Sequence, residues 1–195
     1  MNLFFNNEQA EMITENLVIP YPLNIFYDEK IEDGPVFEEI SSMDMPEPQR
    51  TLLCHTNDMT PTLEKYFGEK AHLLLLDRQP GPGHFFRYIA LVDKDNNPME
   101  VGAIKINISK FPPQAQKLIN ESFIPLGTIY KMFSIQHRNQ PQSYFRVITD
   151  QRINTLFNLN EKTVLYCRIN KQVNETNELL ALALEILPPL SREVD

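Results

Sequence analysis

Cysteine and long hydrophobic runs are both scarce in this sequence of 195 residues. Its two cysteines, Cys54 and Cys167, form no Cys-x-x-Cys motif, so we expect reduced thiols, with a disulfide as the less supported alternative. No apolar run approaches the length of a membrane-spanning helix, and the first residues lack the cationic start and apolar core of a secretory signal. These absences predict a cytoplasmic protein with no membrane partner.

Positive charge is also in short supply, above all near the N-terminus. The formal net charge is −8, and residues 1–50 hold 11 of the 26 acidic residues but only 2 of the 18 basic ones. No run of lysine and arginine forms the basic stripe that is typical of nucleic-acid binding, so we expect neither DNA nor RNA as a partner. An acidic surface also repels small anions, unless a pocket carries its own cation.

Motifs for metal, nucleotide and covalent chemistry are missing. The 4 histidines are isolated, with no His-x-His or His-Glu-x-x-His spacing, so no metal site is predicted. The Pro-Gly-Pro-Gly at 80–83 lacks the Lys-Ser/Thr ending of a phosphate-binding loop, and there is no Gly-x-Ser-x-Gly elbow. We therefore predict a site that uses neither a metal nor another cofactor.

The apolar pattern predicts an α+β fold with an antiparallel β-sheet and a few short helices. The predicted strands are apolar runs flanked by turn signals, and they cover residues 71–77, 85–92, 99–108, 163–171 and 178–187. The predicted helices each follow a capping residue or a proline, and they cover residues 60–68, with Thr60 as the N-cap, 112–119 and 125–133.

Three segments make up the predicted domain organisation. Residues 1–49 form an acidic, proline-containing arm packed on the core, with little regular structure expected at 18–49. Residues 50–188 form the folded domain, in which 143–159 is a mixed stretch without an assigned element. Residues 189–195 form a tail that we expect to fray.

Two ionisable residues lie inside strands that are otherwise apolar on both faces. Arg87 has Phe85 and Ile89 beside it on its own face, and Glu185 is surrounded in the same way by leucine and alanine. A buried charge normally has a partner, loses its charge or meets a ligand. Two interpretations follow: a ligand site, or a structural ion pair that joins two strands.

Four motifs, taken in order, resemble those of the chorismate lyase-like family, which includes chorismate pyruvate-lyases and 4-hydroxybenzoate synthases. The resemblance covers about residues 50–188. The motifs are Asp58-Met59-Thr60 with Leu63-Glu64, Phe86-Arg87-Tyr88-Ile89-Ala90-Leu91, Ile124-Pro125-Leu126-Gly127 and Leu184-Glu185-Ile186-Leu187-Pro188.

This resemblance implies an antiparallel sheet with short helices packed on one side and an enclosed ligand pocket. It also implies a lyase that eliminates pyruvate from chorismate to give 4-hydroxybenzoate, without a cofactor. Arg87 would bind the ring carboxylate through two parallel hydrogen bonds, and Glu185 would be the acid/base at the hydroxyl end. Met59, Leu126 and Gly127 would lie at the matching substrate-binding positions, where backbone N–H groups contribute. The expected partner is a small anionic aromatic or pre-aromatic compound.

Two positions depart from the family pattern. Leu184 stands where several relatives have a threonine, and Ala103 stands where the bacterial lyase has an arginine. The candidates to replace that arginine are Lys105, Lys131 and Arg168. These departures leave open a lyase that acts on a related enolpyruvyl or aromatic acid. A second alternative is a non-catalytic aromatic-acid-binding module of the same fold, because the family's fold also occurs in effector-sensing domains of some bacterial transcription regulators.

Overall fold

Seven antiparallel strands form one sheet in the computed structural model of the protein, which describes residues 18–28 and 33–190. The strands are β1 (Val36–Ile40), β2 (His72–Gly81), β3 (His84–Val92), β4 (Pro98–Ile106), β5 (Arg138–Ile148), β6 (Val164–Val173) and β7 (Leu179–Ile186). Their order across the sheet is β1-β5-β6-β7-β4-β3-β2. This architecture confirms the predicted α+β class with an antiparallel sheet.

Five α-helices pack on the sheet within the described residues. They are α1 (Gln49–Leu53), α2 (Met59–Phe67), α3 (Pro113–Glu121), α4 (Leu126–Met132) and α5 (Gln151–Phe157). Helix α2 begins one residue before Thr60, so the prediction of Thr60 as its N-cap is wrong; Asp58 holds that position, and its side chain makes no capping hydrogen bond. Gly68 ends α2 as predicted, with a φ of 71° that glycine adopts without steric cost.

Both faces of the sheet are buried, each by a different part of the chain. Helices α1–α4 pack on the face that carries Phe85 and Ile89 of β3. Helix α5 and residues 18–28 pack on the opposite face, where the ring of Phe26 stacks on that of Tyr88 with their centroids 5.5 Å apart. This double cover explains why β3 has no polar face in the sequence.

The N-terminal segment contains more regular structure than expected. The prediction of little regular structure at 18–49 is wrong for β1, which pairs with β5 at one edge of the sheet, and for the 3-10 turns at Leu23–Phe26 and Ser42–Asp44. The parts of the arm at 1–17 and 29–32, and the tail at 191–195 where fraying was predicted, lie outside the described residues.

The unassigned stretch at 143–159 contains the second half of β5 and the whole of α5. Asp150 begins α5 as its N-cap, because its carboxylate accepts a hydrogen bond of 2.8 Å from the backbone N–H of Ile153. The five predicted strands and the helices after Pro112 and Pro125 are present, with ends shifted by a few residues. Cys54 and Cys167 are free thiols. Across the described part of the chain, no helix has the length and apolarity needed to span a membrane.

Candidate functional site

The strand register gathers the buried ionisable groups on one face of the sheet. Arg87 lies opposite Ile104 of β4, while Glu185 lies between Gly102 of β4 and Arg168 of β6. Because side chains alternate along each strand, Arg87, Glu185 and Arg168 all belong to the face that α1–α4 cover. The register therefore concentrates charge between the sheet and these helices.

A small cavity of about 70 Å³ lies at this place, which is room for several water molecules or a small organic group. All five residues that the sequence proposed for a site line it: Arg87, Glu185, Met59, Leu126 and Gly127. Residues from β3, β7 and the N-terminal ends of α2 and α4 thus meet around one space. None of the three candidate replacement cations lines the cavity, but Arg168 contacts Glu185 directly.

Arg87 is a buried cation with no carboxylate partner among residues 18–28 and 33–190. It is 1% exposed, and its Nη1 donates a hydrogen bond of 3.3 Å to the backbone carbonyl of Ile124. Its Nε has no hydrogen-bond partner in the described residues. Burial lowers the pKa of Arg87 to about 10, so the side chain remains positively charged at neutral pH. An anion placed beside it would offset the cost of that burial.

Glu185 forms a buried ion pair with Arg168. The Arg168 Nε donates to Oε2 of Glu185 at 2.5 Å, and Nη1 donates to the carbonyls of Leu53 and His55 at 3.1 and 2.9 Å. The interpretation of a structural ion pair across two strands therefore applies to Glu185, but its partner is Arg168 rather than Arg87. The pairing leaves Arg87 as the uncompensated charge of the cavity.

Glu100 is a third ionisable residue of the site, and the sequence analysis did not identify it. It is 3% exposed, lines the cavity, and its Oε2 has no hydrogen-bond partner within the described residues. Burial, and next the negative charge of Glu185, raise the pKa of Glu100 well above its usual range. The sequence pattern that identified Arg87 and Glu185, an ionisable residue inside a predicted apolar strand, applies to Glu100 as well.

Gly102 makes room for the Glu100 side chain. A Cβ atom at position 102 would lie 2.8 Å from Oε1 of Glu100 and 3.0 Å from the backbone oxygen of Leu184. Both distances are shorter than ordinary van der Waals contacts. Because Gly102 has no side chain, the Glu100 carboxyl can lie directly over the backbone of β4 at this position.

A polar network surrounds Asp58, which lines both this cavity and a larger open cleft of about 1810 Å³. Oδ1 of Asp58 accepts hydrogen bonds from Nε2 of His137 at 2.7 Å and from Nδ2 of Asn139 at 2.8 Å. The His137 ring stacks on Tyr130, whose hydroxyl donates to Gln172 at 2.9 Å. The network links the start of α2 to α4, β5 and β6 beside the predicted site.

The Asp58–His137 pair makes stability depend on pH. Their hydrogen bond raises the pKa of His137 above its ordinary value of 6.5 and lowers that of Asp58. The contribution of His137 is therefore complete below pH 6.5 and is lost as the pH rises through the raised pKa, while that of Asp58 is lost only in acid. We expect a loss of at most about 1 kcal/mol on the alkaline side, because both groups are partly solvated.

Thermal melts between pH 5 and 9 check this expectation. His137→Gln keeps a hydrogen-bond donor but cannot titrate, so its melting temperature should lack the alkaline decrease of the wild type. A parallel decrease in both proteins would show that the pair contributes nothing to the pH dependence.

Comparison with known proteins gives matches at the level of structure. The sequence matches no family model and no curated protein. The fold is similar to that of PhnF from Mycobacterium smegmatis, with a TM-score of 0.54 and 11% identity over 69% of this chain and 64% of PhnF. The effector domain of PhnF matches with a TM-score of 0.51 and 10% identity, over 67% of this chain and 88% of that domain. The gene product SA0254 from Staphylococcus aureus matches with a TM-score of 0.51 and 6% identity, over 69% and 90%.

These likenesses show a shared fold, which is consistent with the resemblance to the chorismate lyase-like family. The prediction that the protein is an enzyme, a carbon–oxygen lyase, is contradicted, because a solved structure that shares its fold is described as an effector domain. The physical reason for the error is that a buried arginine and a buried glutamate suit ligand binding as well as catalysis.

Proposed function

We propose that the protein is a non-catalytic module that binds a small organic acid, with Arg87 holding the carboxylate of the ligand. The observation that carries this proposal is the buried, unpaired guanidinium of Arg87 at the cavity. A guanidinium donates two parallel hydrogen bonds to a carboxylate, and such charge-assisted bonds are strong where water is excluded.

The charge balance of the cavity favours a monoanion. Arg168 neutralises Glu185 through their 2.5 Å contact, and burial favours the protonated form of Glu100. Asp58, which also lines the cavity, has its own partner in His137 at 2.7 Å. Arg87 is therefore the cation of the site that lacks a partner, and a single carboxylate compensates it. A cation entering the cavity would instead add a second uncompensated charge.

The walls of the cavity suit an apolar ring. Ile89, Leu126 and Ala183 line it between the polar groups, and Met59 closes it from α2. The cavity of about 70 Å³ is smaller than the roughly 150 Å³ that holds benzene, so a ring acid enters only if side chains of α2 and α4 move outward. A flat ring that carries a carboxylate would then bury its apolar surface against these side chains while the carboxylate meets Arg87. The similar structure described as an effector domain supports a binding role of this kind.

Isothermal titration calorimetry at pH 7 with benzoate, benzamide and benzylamine tests the proposal. The three compounds share a ring but present an anion, a neutral amide and a cation. We expect benzoate to bind at least tenfold more tightly than benzamide, and benzylamine to give no binding heat, because a charged partner for Arg87 is what the site lacks. Equal affinity for benzoate and benzamide, or no binding of benzoate, would contradict the proposal.

A further inference from the structure

We infer that Glu100 recognises the far end of the ligand by donating a hydrogen bond to an uncharged oxygen atom. The ligands are then ring acids with a carboxylate at one end and a hydroxyl or carbonyl oxygen at the other. This inference rests on the proposed function, since it takes the carboxylate end to be held by Arg87.

The strand register places Arg87 and Glu100 in separate rows of the sheet, and the Glu100 carboxyl reaches back over Gly102, in the row between them. Arg87 lies opposite Ile104, and Glu100 lies two same-face positions further along β4, opposite Leu91 of β3. Two such steps separate the backbones by about 13 Å. Both side chains line the cavity, so the space between them is bounded by a cation at one end and a carboxyl at the other.

Gly102 occupies the position between these two rows, and its missing side chain leaves room over β4 for the Glu100 carboxyl. The Glu100 carboxyl lies over it, with Oε1 2.8 Å from where a Cβ atom would be. Its Oε2 is buried and has no hydrogen-bond partner within the described residues. A buried polar atom without a partner destabilises the empty site, and a ligand group that bonds to it removes this cost.

The surroundings of Glu100 decide which ligand group fits. The charged and titratable groups nearest to it are Glu185 of β7 and Arg168 of β6, with Arg87 of β3 and Asp58 at the start of α2 around the same cavity. Arg168 already holds the Glu185 carboxylate, and a second carboxylate beside it would be repelled. Burial and Glu185 accordingly raise the pKa of Glu100, and a protonated carboxyl has one O–H donor to offer.

Two substitutions and three ligands separate donation by Glu100 from the other possibilities. Glu100→Gln keeps the shape and an N–H donor, whereas Glu100→Met keeps the length and removes all hydrogen bonding. The ligands are benzoate, 4-hydroxybenzoate and 4-(aminomethyl)benzoate, which end opposite the carboxylate in hydrogen, hydroxyl and an ammonium group. The affinities are measured by calorimetry at pH 7, and the melting temperature of each variant verifies that it is folded.

We expect the wild type and Glu100→Gln to prefer 4-hydroxybenzoate over benzoate by about fivefold, the effect of one hydrogen bond. In Glu100→Met that preference should disappear while benzoate still binds. The inference is overturned if Glu100→Met keeps the preference, or if the wild type prefers 4-(aminomethyl)benzoate, since Glu100 would then act as an anion. Benzoate binding without any preference for the hydroxyl refutes this inference alone, whereas absence of benzoate binding refutes the proposed function as well.

Discussion

Replacing Arg168 with methionine is expected to lower the free energy of unfolding by about 3–5 kcal/mol. The substitution leaves the Glu185 carboxylate buried without its partner at 2.5 Å, and it removes the hydrogen bonds to the carbonyls of Leu53 and His55. These contacts connect β6 and β7 to the end of α1 and the residues just after it, so the loss should affect the whole domain. Urea unfolding followed by circular dichroism measures the change.

A matched control is Arg146→Met, which breaks an exposed pair with Glu38 at the edge of the sheet and should cost less than about 1 kcal/mol. The double variant Arg168→Met, Glu185→Leu replaces both charges by apolar groups and should recover most of the stability lost by the single variant. If Arg168→Met were no more destabilising than Arg146→Met, the buried pair would not have the structural role assigned to it.

Replacing Arg87 with methionine should have opposite effects on binding and on stability. Benzoate affinity is expected to fall by about 100-fold, because the ligand carboxylate would be buried without a charged partner. The melting temperature of the ligand-free protein should rise, since the variant removes a cation that is 1% exposed and has no carboxylate partner in the described residues. Calorimetry and thermal melts measure the two effects on the same samples.

Arg87→Lys serves as the control, because it keeps the charge but not the two-pronged geometry of the guanidinium. Its benzoate affinity should lie between those of the wild type and Arg87→Met. Unchanged benzoate binding in Arg87→Met would exclude Arg87 as the carboxylate-binding residue. A large loss of stability would show instead that Arg87 has a structural partner.

The sequence predicted the central strands well because each is a long apolar run between clear turn signals. It failed at β5, whose first half, Arg138-Asn139-Gln140-Pro141-Gln142, is polar. Several of these polar side chains belong to the network around Asp58 or to the sheet edge, so their burial depends on contacts with other elements. Strand β1 was missed for a related reason: Glu38 and Glu39 are exposed at the sheet edge, and they make the segment resemble a solvated loop.

The site was predictable in its location but not in its pairing. A charge within an apolar strand identifies Arg87 and Glu185 directly, and the same signal applies to Arg168 and Glu100. Which cation meets which carboxylate depends on the strand order, and β7 lies between β6 and β4. That order places Arg168 on the strand next to Glu185, whereas Arg87 lies two strands from Glu185. The spacing of these residues along the sequence does not predict this strand order.

The segment at 18–28 contributes to the solubility of the domain. Leu23 and Phe26 shield a sheet face that has Tyr88, Ala90 and Val101 at its centre, on the side opposite Arg87 and Glu185. A chain shortened to start at β1 would keep every side chain of the cavity. It would, however, expose apolar surface of the sheet to other copies of the protein. Self-association would then set the limit on its solubility, although the side chains around Arg87 on the other face would be in place.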